Sequence, residues 1–132
     1  MAAAAPKPSA TVLVVDDDPG LRGVLARALA EAGYRVLTAA DGEEALALAG
    51  TLAGKLGLVI TDVRMPVMDG FTLAGHLAHL PSPPPVLFIS GYADGHEIPG
   101  PYLTKPFGPS VLLEAVGQIV SMQPHQKAGR GH

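Results

Sequence analysis

Apolar positions along the chain fall into short compact runs and longer stretches at helical spacing, and the two kinds alternate from end to end. Thr11–Val15 is a β-branched apolar run that stops at Asp16, Asp17 and Asp18, which predicts a buried strand. Asp18 and Pro19 have the types that cap and open a helix, and Leu21, Val24, Leu25, Ala28, Leu29 and Ala32 follow on one face before Gly33. Residues 34–39 predict a second strand, and Asp41 with Glu44 makes a capping box for a helix running to about Ala53. Residues 56–60 predict a third strand, ending at Thr61 and Asp62. After Met65 and Pro66, Asp69 is placed to cap a helix whose Leu73, Leu77 and Leu80 share one face. The proline-rich stretch 81–85 stops it. Residues 86–89 form a fourth strand and 102–104 a short fifth, and Leu112, Val116, Ile119 and Val120 mark a last helix that starts near Pro109. No internal repeat is visible. Strands and helices that alternate along the chain are the pattern of an α/β fold built on a parallel sheet.

Composition narrows the setting without changing that picture. The 132 residues bound a single domain, with 48% apolar and 16% charged residues in a globular balance. Sixteen glycines and thirteen prolines imply many turns. Residues 1–10 carry one lysine, Lys7, behind a run of alanines, so they read as a loose tail rather than a signal peptide. Residues 123–132 are polar and read as a second tail, which leaves 11–122 as the folded unit. No apolar run approaches the ~20 residues that cross a bilayer, so neither a membrane nor a secreted location is expected; the chain reads as soluble and cytoplasmic. A net charge of −3 without any Lys/Arg cluster lacks the basic footprint of nucleic-acid binding. The absence of cysteine excludes disulfides and thiolate metal sites.

In an open parallel sheet, ligands bind beyond the carboxyl ends of the strands. The polar residues gather there: strand 1 ends in Asp16 and Asp17, strand 3 in Asp62, strand 4 in Ser90, and strand 5 runs into Lys105. Close carboxylates repel by about 4 kcal/mol per pair at ~4 Å and an effective dielectric near ~20, so the trio needs a cation. Oxygen-only ligation favours a hard divalent ion, and Mg²⁺ suits one or two carboxylates, waters and a phosphoryl oxygen. With a hydroxyl and an ammonium to neutralise the transferring oxygens, the group reads as a site for phosphoryl transfer to an aspartate.

Four strings then become specific together: VLVVDDDPGLR from Val12, LVITDVRMPVMDG from Leu58, VLFISGYAD from Val86 and YLTKPF from Tyr102. In this order they resemble the receiver domain of two-component response regulators, over nearly everything from Thr11 to about Met122. The resemblance implies a flavodoxin-like, doubly wound five-stranded parallel sheet of order 2-1-3-4-5. It implies Asp62 as the phosphorylated aspartate and Asp16 and Asp17 as the acidic pair, with Asp17 the more direct Mg²⁺ ligand. Arg64 falls where the family offers a backbone carbonyl to the metal. Ser90 matches the hydroxyl that turns toward the phosphoryl group, Lys105 the lysine that pairs with a phosphoryl oxygen, and Pro106 the proline after a cis bond. Tyr102 reads either as a half-buried strand aromatic or, through the resemblance, as the switch aromatic that moves inward with the hydroxyl. Gly91, the small residue after the hydroxyl, leaves access to the phosphoacceptor open. The implied activity is that of a stand-alone phosphoacceptor rather than an enzyme, limited to self-catalysed phosphotransfer and dephosphorylation. The implied donor is a sensor histidine kinase or a histidine phosphotransfer protein, and a further protein reads the result.

One stretch departs from the family pattern. Only 14 residues separate Ser90 from Lys105, about two helical turns fewer than is usual. Residues 93–101 hold two glycines and two prolines in nine positions, so the family's fourth helix is reduced or absent here, and dimerisation through that face is in doubt.

Plainer readings apply to several other residues. Asp18, Asp41 and Asp69 are cap or turn residues. His76 and His79 lie one turn apart with no further ligand near in sequence and read as a polar face, while Met65 and Met68 read as loop and packing residues. Two competing functions stay open. Asp16-x-Asp18 after an apolar strand also fits a phosphatase of the haloacid dehalogenase type with Asp16 as nucleophile. That reading finds Pro19 where Gly or Thr belongs, a short chain, and no role for Asp62 and Met65-Pro66. A receiver-like scaffold that binds its partner regardless of phosphate is the other, and the altered 91–101 segment suggests it. That segment is expected to exchange its amide hydrogens faster than the rest of the chain, and strong protection there in a hydrogen-exchange experiment would refute the expectation.

Overall fold

A computed structural model describes residues 10–52, 54–91 and 97–122. The elements run β1 Thr11–Val15, α1 Pro19–Glu31, β2 Arg35–Ala39, α2 Gly42–Leu52, β3 Leu56–Asp62, α3 Gly70–Leu77, β4 Val86–Ser90, β5 Tyr102–Thr104 and α4 Pro109–Ser121. The five strands form one sheet in the order β2-β1-β3-β4-β5, and every pairing is parallel. This is the doubly wound, flavodoxin-like arrangement the sequence implies. Among the described residues there are four helices, and the segment between β4 and β5 supplies none of them. Residues 92–96 of that segment lie outside the described residues, as do both tails beyond 10 and 122, so the exchange expectation and the tail readings concern parts of the chain without a description.

Both faces of the sheet are covered, which explains why its central strands are apolar throughout rather than alternating. Val12 and Val14 of β1, Leu58 and Ile60 of β3 and Leu87 and Ile89 of β4 point to one side, where Leu25 and Leu29 of α1 and Leu112 and Val116 of α4 meet them. The intervening Leu13, Val15 and Val59 point to the other side, against Ala45 and Ala49 of α2 and Leu73 and Leu77 of α3. Each such aliphatic side chain contributes about 1.5–3 kcal/mol on burial.

Element ends follow the chemistry of their residues. Asp18 accepts hydrogen bonds from the Gly20 and Leu21 amides at the start of α1, and Asp69 accepts from the Thr72 amide at the start of α3. Half of the expected capping box is formed, with the Glu44 amide donating to Asp41 Oδ1 at 2.8 Å, while Glu44 Oε1 accepts from the Ala40 amide, one residue before the cap, at 2.8 Å. Two boundaries differ from the sequence reading. Tyr34 donates its amide to the Leu29 carbonyl and so belongs to the turn after α1 rather than to β2. β3, by contrast, ends at Asp62 as the sequence reading has it, with Asp62 still paired in register with Ile89 of β4. α3 ends at Leu77, three residues before Leu80, where the His79 amide donates to the His76 carbonyl and the Leu80 amide to the Leu77 carbonyl. Pro81 cannot continue the helix, yet Leu80 still packs on the α2 and α3 side of the core.

The loop from β3 to α3 returns tightly over the strand it leaves. Gly70 donates its amide to the Val63 carbonyl at 2.8 Å, and a Cβ at this position would collide with the Asp62 carbonyl oxygen. Glycine is therefore required by close approach rather than by backbone angle. Met68 packs against Gly42 at the start of α2, where a Cβ would stand 2.7 Å from its sulfur. Just before Met68, Val67 has φ 73°, and the Met68 amide donates to the Pro66 carbonyl at 2.7 Å, closing a three-residue turn. A β-branched residue in that region costs about 1–3 kcal/mol. Gly70→Ala is expected to lower stability by about 1–3 kcal/mol by pushing this loop off the end of β3; an unchanged midpoint in a urea titration would contradict the packing described.

Candidate functional site

Strand register brings the chemistry to one edge. Val15 lies level with Thr61 in the β1–β3 pair, Asp62 with Ile89 in the β3–β4 pair, and Ser90 with Thr104 in the β4–β5 pair. Asp16 therefore follows the last residue of β1, Asp62 and Ser90 end β3 and β4, and Lys105 follows β5, all at the carboxyl edge of the sheet.

Asp16 is 1% exposed, and its polar atoms are held from several directions. Its amide donates to the Ala39 carbonyl at 3.2 Å, its Oδ1 accepts from the Asp18 amide at 2.9 Å, and its carbonyl accepts from Arg22 Nη1 at 2.8 Å. Among the described residues, Oδ2 is buried without a hydrogen-bond partner. Burial pushes the Asp16 carboxyl above the ordinary aspartate range; the Asp18 amide and the Lys105 charge oppose this, and the Asp62 and Asp17 charges add to it. A buried carboxylate oxygen without a donor is costly unless something positive meets it.

Asp16, Asp17 and Asp62 each offer a carboxylate oxygen, and these atoms lie within 4.8 Å of one another. An oxygen-only set at that spacing, with one oxygen buried and unpaired, fits a hard divalent cation of the Mg²⁺ kind. Asp62 is 7% exposed. Its Oδ2 accepts from Lys105 Nζ at 3.2 Å, and its Oδ1 accepts from the Arg64 backbone amide at 3.3 Å. Arg64 thus brings its backbone to the site while its side chain is exposed. Ser90 is buried and donates its hydroxyl to the Gly91 carbonyl at 3.0 Å. The Lys105–Pro106 peptide bond is cis.

The structure thus gathers Asp16, Asp17, Asp62, Lys105 and the Arg64 backbone, and sets Ser90 on the neighbouring strand end. Tyr102 is set back from the edge, opposite Phe88 in register, and is 53% exposed. Asp18 is engaged by the helix cap, so Asp16-x-Asp18 does not form the nucleophile and acid pair that a phosphatase reading requires. Two features escaped the sequence reading. Arg22 reaches back from the first turns of α1 to the Asp16 carbonyl; its helical position directly after the acidic run was the available signal. A groove of about 250 Å³ beside Lys105 is lined by Leu21, Val24, Leu25, Phe107, Pro109 and Leu112. It joins two helices distant in sequence, which no local pattern could reveal.

Among curated proteins, the sensor kinase CckA of Brucella abortus is 38% identical over 122 residues, 87% of this chain and 13% of that protein. The positive alginate biosynthesis regulatory protein of Pseudomonas aeruginosa is 39% identical over 113 residues, 80% of this chain and 45% of that protein. The chain therefore spans less than half the length of either relative. A crystal structure of the receiver domain of the hybrid histidine kinase CckA superposes with a TM-score of 0.74 at 40% identity, covering 83% of this chain and 98% of that one. Residues 12–117 match the response regulator receiver domain, and with the sheet order, the acidic edge and the Asp62–Lys105 pair already in place, the chain belongs to that family.

Proposed function

We propose that this domain, residues 11–122, is a phosphoacceptor whose Asp62 takes a phosphoryl group from a histidine kinase or a histidine phosphotransfer protein. The observation that carries this reading is the setting of the Asp62 carboxylate. It is buried, held by Lys105 Nζ and the Arg64 amide, and close to the carboxylate of Asp16, whose Oδ2 has no donor among the described residues. In the transfer, an Asp62 oxygen forms a bond to phosphorus as the bond from phosphorus to the donor nitrogen breaks, and the histidine takes up a proton. Lys105 lies where negative charge grows on a phosphoryl oxygen, and the Ser90 hydroxyl, on the adjacent strand end, turns from Gly91 to a second oxygen. Asp16, Asp17, Asp62 and the Arg64 carbonyl would hold Mg²⁺. When bound, Mg²⁺ supplies charge neutralisation for the carboxylates and the incoming phosphoryl oxygens.

The product is a signalling state rather than a released compound, so the domain acts by docking to another protein, with transfer onto Asp62 and later hydrolysis as its own chemistry. Tyr102, exposed at the start of β5, is the side chain we assign to follow Ser90 inward. The family resemblance, the acidic charge and the expected cytoplasmic setting support a protein partner over nucleic acid or membrane; among the described residues no helix is long and apolar enough to cross a bilayer.

Incubation with a small-molecule acyl phosphate and Mg²⁺ should add one phosphoryl mass to the intact chain. Asp62→Asn or a chelator should abolish the gain, and Lys105→Met should slow it by about 100-fold. No gain under any condition would sink the phosphoacceptor reading in favour of a scaffold indifferent to phosphate. A second expectation concerns pH. Because the folded chain raises the Asp16 pKa above its unfolded value, the folded state binds that proton more tightly. The metal-free domain therefore gains stability as pH falls through the raised value, down to the ordinary aspartate range, and loses it as pH rises. Mg²⁺ must displace the same proton, so its stabilising effect should shrink in the same acidic window. Thermal melts with and without Mg²⁺ across pH check this, and Asp16→Asn should raise the metal-free midpoint at neutral pH; a lowered midpoint would count against it.

A further inference from the structure

We propose that Arg22 is a positioning residue for the cation site: its guanidinium holds the Asp16 carbonyl so that the Asp16 and Asp17 carboxylates stay gathered beside that of Asp62. The inference rests on the metal-binding reading of the acidic edge given above.

The chain at Asp16 must do two incompatible things at once. It leaves β1, whose ladder fixes the strand direction, and it enters α1 three residues later at Pro19. A free peptide unit at such a junction rotates readily, and rotation of the Asp16–Asp17 peptide would swing the Asp17 side chain away from the trio. Local bonds hold one side of the junction: the Asp16 amide is bonded to Ala39, and Asp16 Oδ1 is bonded to the Asp18 amide. The carbonyl of Asp16 belongs to the peptide that carries Asp17, and it is fixed by Arg22 Nη1 at 2.8 Å.

Arg22 itself is well anchored. Its amide donates to the Asp18 carbonyl at 2.9 Å, in the first helical hydrogen bond of α1, and its side chain is half-buried. With Asp18 capping the same helix end, Asp16, Asp18 and Arg22 close a ring of hydrogen bonds from strand end to helix start. The one polar side-chain atom of Asp16 outside this ring is Oδ2. A rigid ring with a single unpaired carboxylate oxygen is the arrangement that prepares a ligand atom in advance. Outer residues of this kind orient the groups that touch the metal, and their removal commonly weakens binding.

Arginine suits the task better than other cations. Its planar fork reaches back over the helix start with a directed N–H, and it stays charged at every pH relevant here. The contact that Arg22 makes with Asp16 is to the backbone carbonyl, not to the carboxylate, so it acts on the direction of the chain that carries Asp17.

The test is a Mg²⁺ titration of the metal-binding domain followed by calorimetry and by the amide shifts of Asp17 and Asp62 in ¹⁵N spectra. Arg22→Met keeps the apolar stem and removes the donor; it should weaken Mg²⁺ affinity by about tenfold or more. With acyl phosphate as donor, the Mg²⁺ concentration for half-maximal rate should rise while the rate at saturating Mg²⁺ stays near that of the natural chain. Arg22→Lys, which retains a cationic donor, should recover part of the affinity. If Arg22→Met does not fold, Arg22→Gln, too short to reach the carbonyl, is read in its place. An Arg22→Met or Arg22→Gln chain that binds Mg²⁺ as tightly as the natural one, with only its melting midpoint lowered, would make Arg22 an ordinary tie between strand and helix and overturn the proposal. A natural chain whose Mg²⁺ binding is absent or unmoved by Asp16→Asn would remove the metal reading itself, a failure distinguishable from the first.

Discussion

Negative charge crowded at one edge of the sheet is the constraint around which the rest of the molecule is arranged. Three carboxylates stand within 4.8 Å, one of them almost fully buried, and like charges at that range repel strongly wherever water is excluded. The fold holds this arrangement because Asp16 and Asp62 are tied down by their neighbours. β1, β3, β4 and β5 end at the same level through their register, Arg22 and the Asp18 amide hold Asp16, and Lys105 and the Arg64 amide hold Asp62. The apolar layers on both faces of the sheet give these ends a rigid support.

Much of this was legible from residue order because the signals were local. Apolar runs bounded by aspartates marked strand ends, and Asp18, Asp41 and Asp69 marked helix starts through side-chain caps that the structure contains. Asp16, Asp17, Asp62, Ser90 and Lys105 could be placed from the same reading, since each lies at or beside the carboxyl end of a strand, whereas Arg64 and Tyr102 came only through the family resemblance. What stayed hidden was long-range or depended on space. The loss of Tyr34 from β2 depends on a turn hydrogen bond. The Arg22 contact depends on how far a helix start sits from a strand end. The groove beside α1 needs two helices to exist at all. Glycine at 70 reads as ordinary loop composition until the Asp62 carbonyl is seen against it.

The loop after β3 shows a different balance of constraints. It carries the Arg64 backbone to Asp62, folds Met68 onto Gly42 and brings Gly70 onto the end of the strand. These anchors leave Val67 at the apex with a backbone angle valine disfavours and a side chain 84% exposed. Packing gives Val67 nothing in return. The geometry there is imposed from the two anchors, so the strain is a by-product of how closely the loop must hug the acidic edge.

Lys105 connects this edge to the outside of the molecule. Its ammonium sits on Asp62, while its own residue, with Pro106 and Phe107, forms one wall of the groove beside α1. A change of charge at Asp62 therefore needs no chain of intermediates to be felt at the surface: the full path from the reacting carboxylate to a face that another molecule can touch is the length of one lysine side chain.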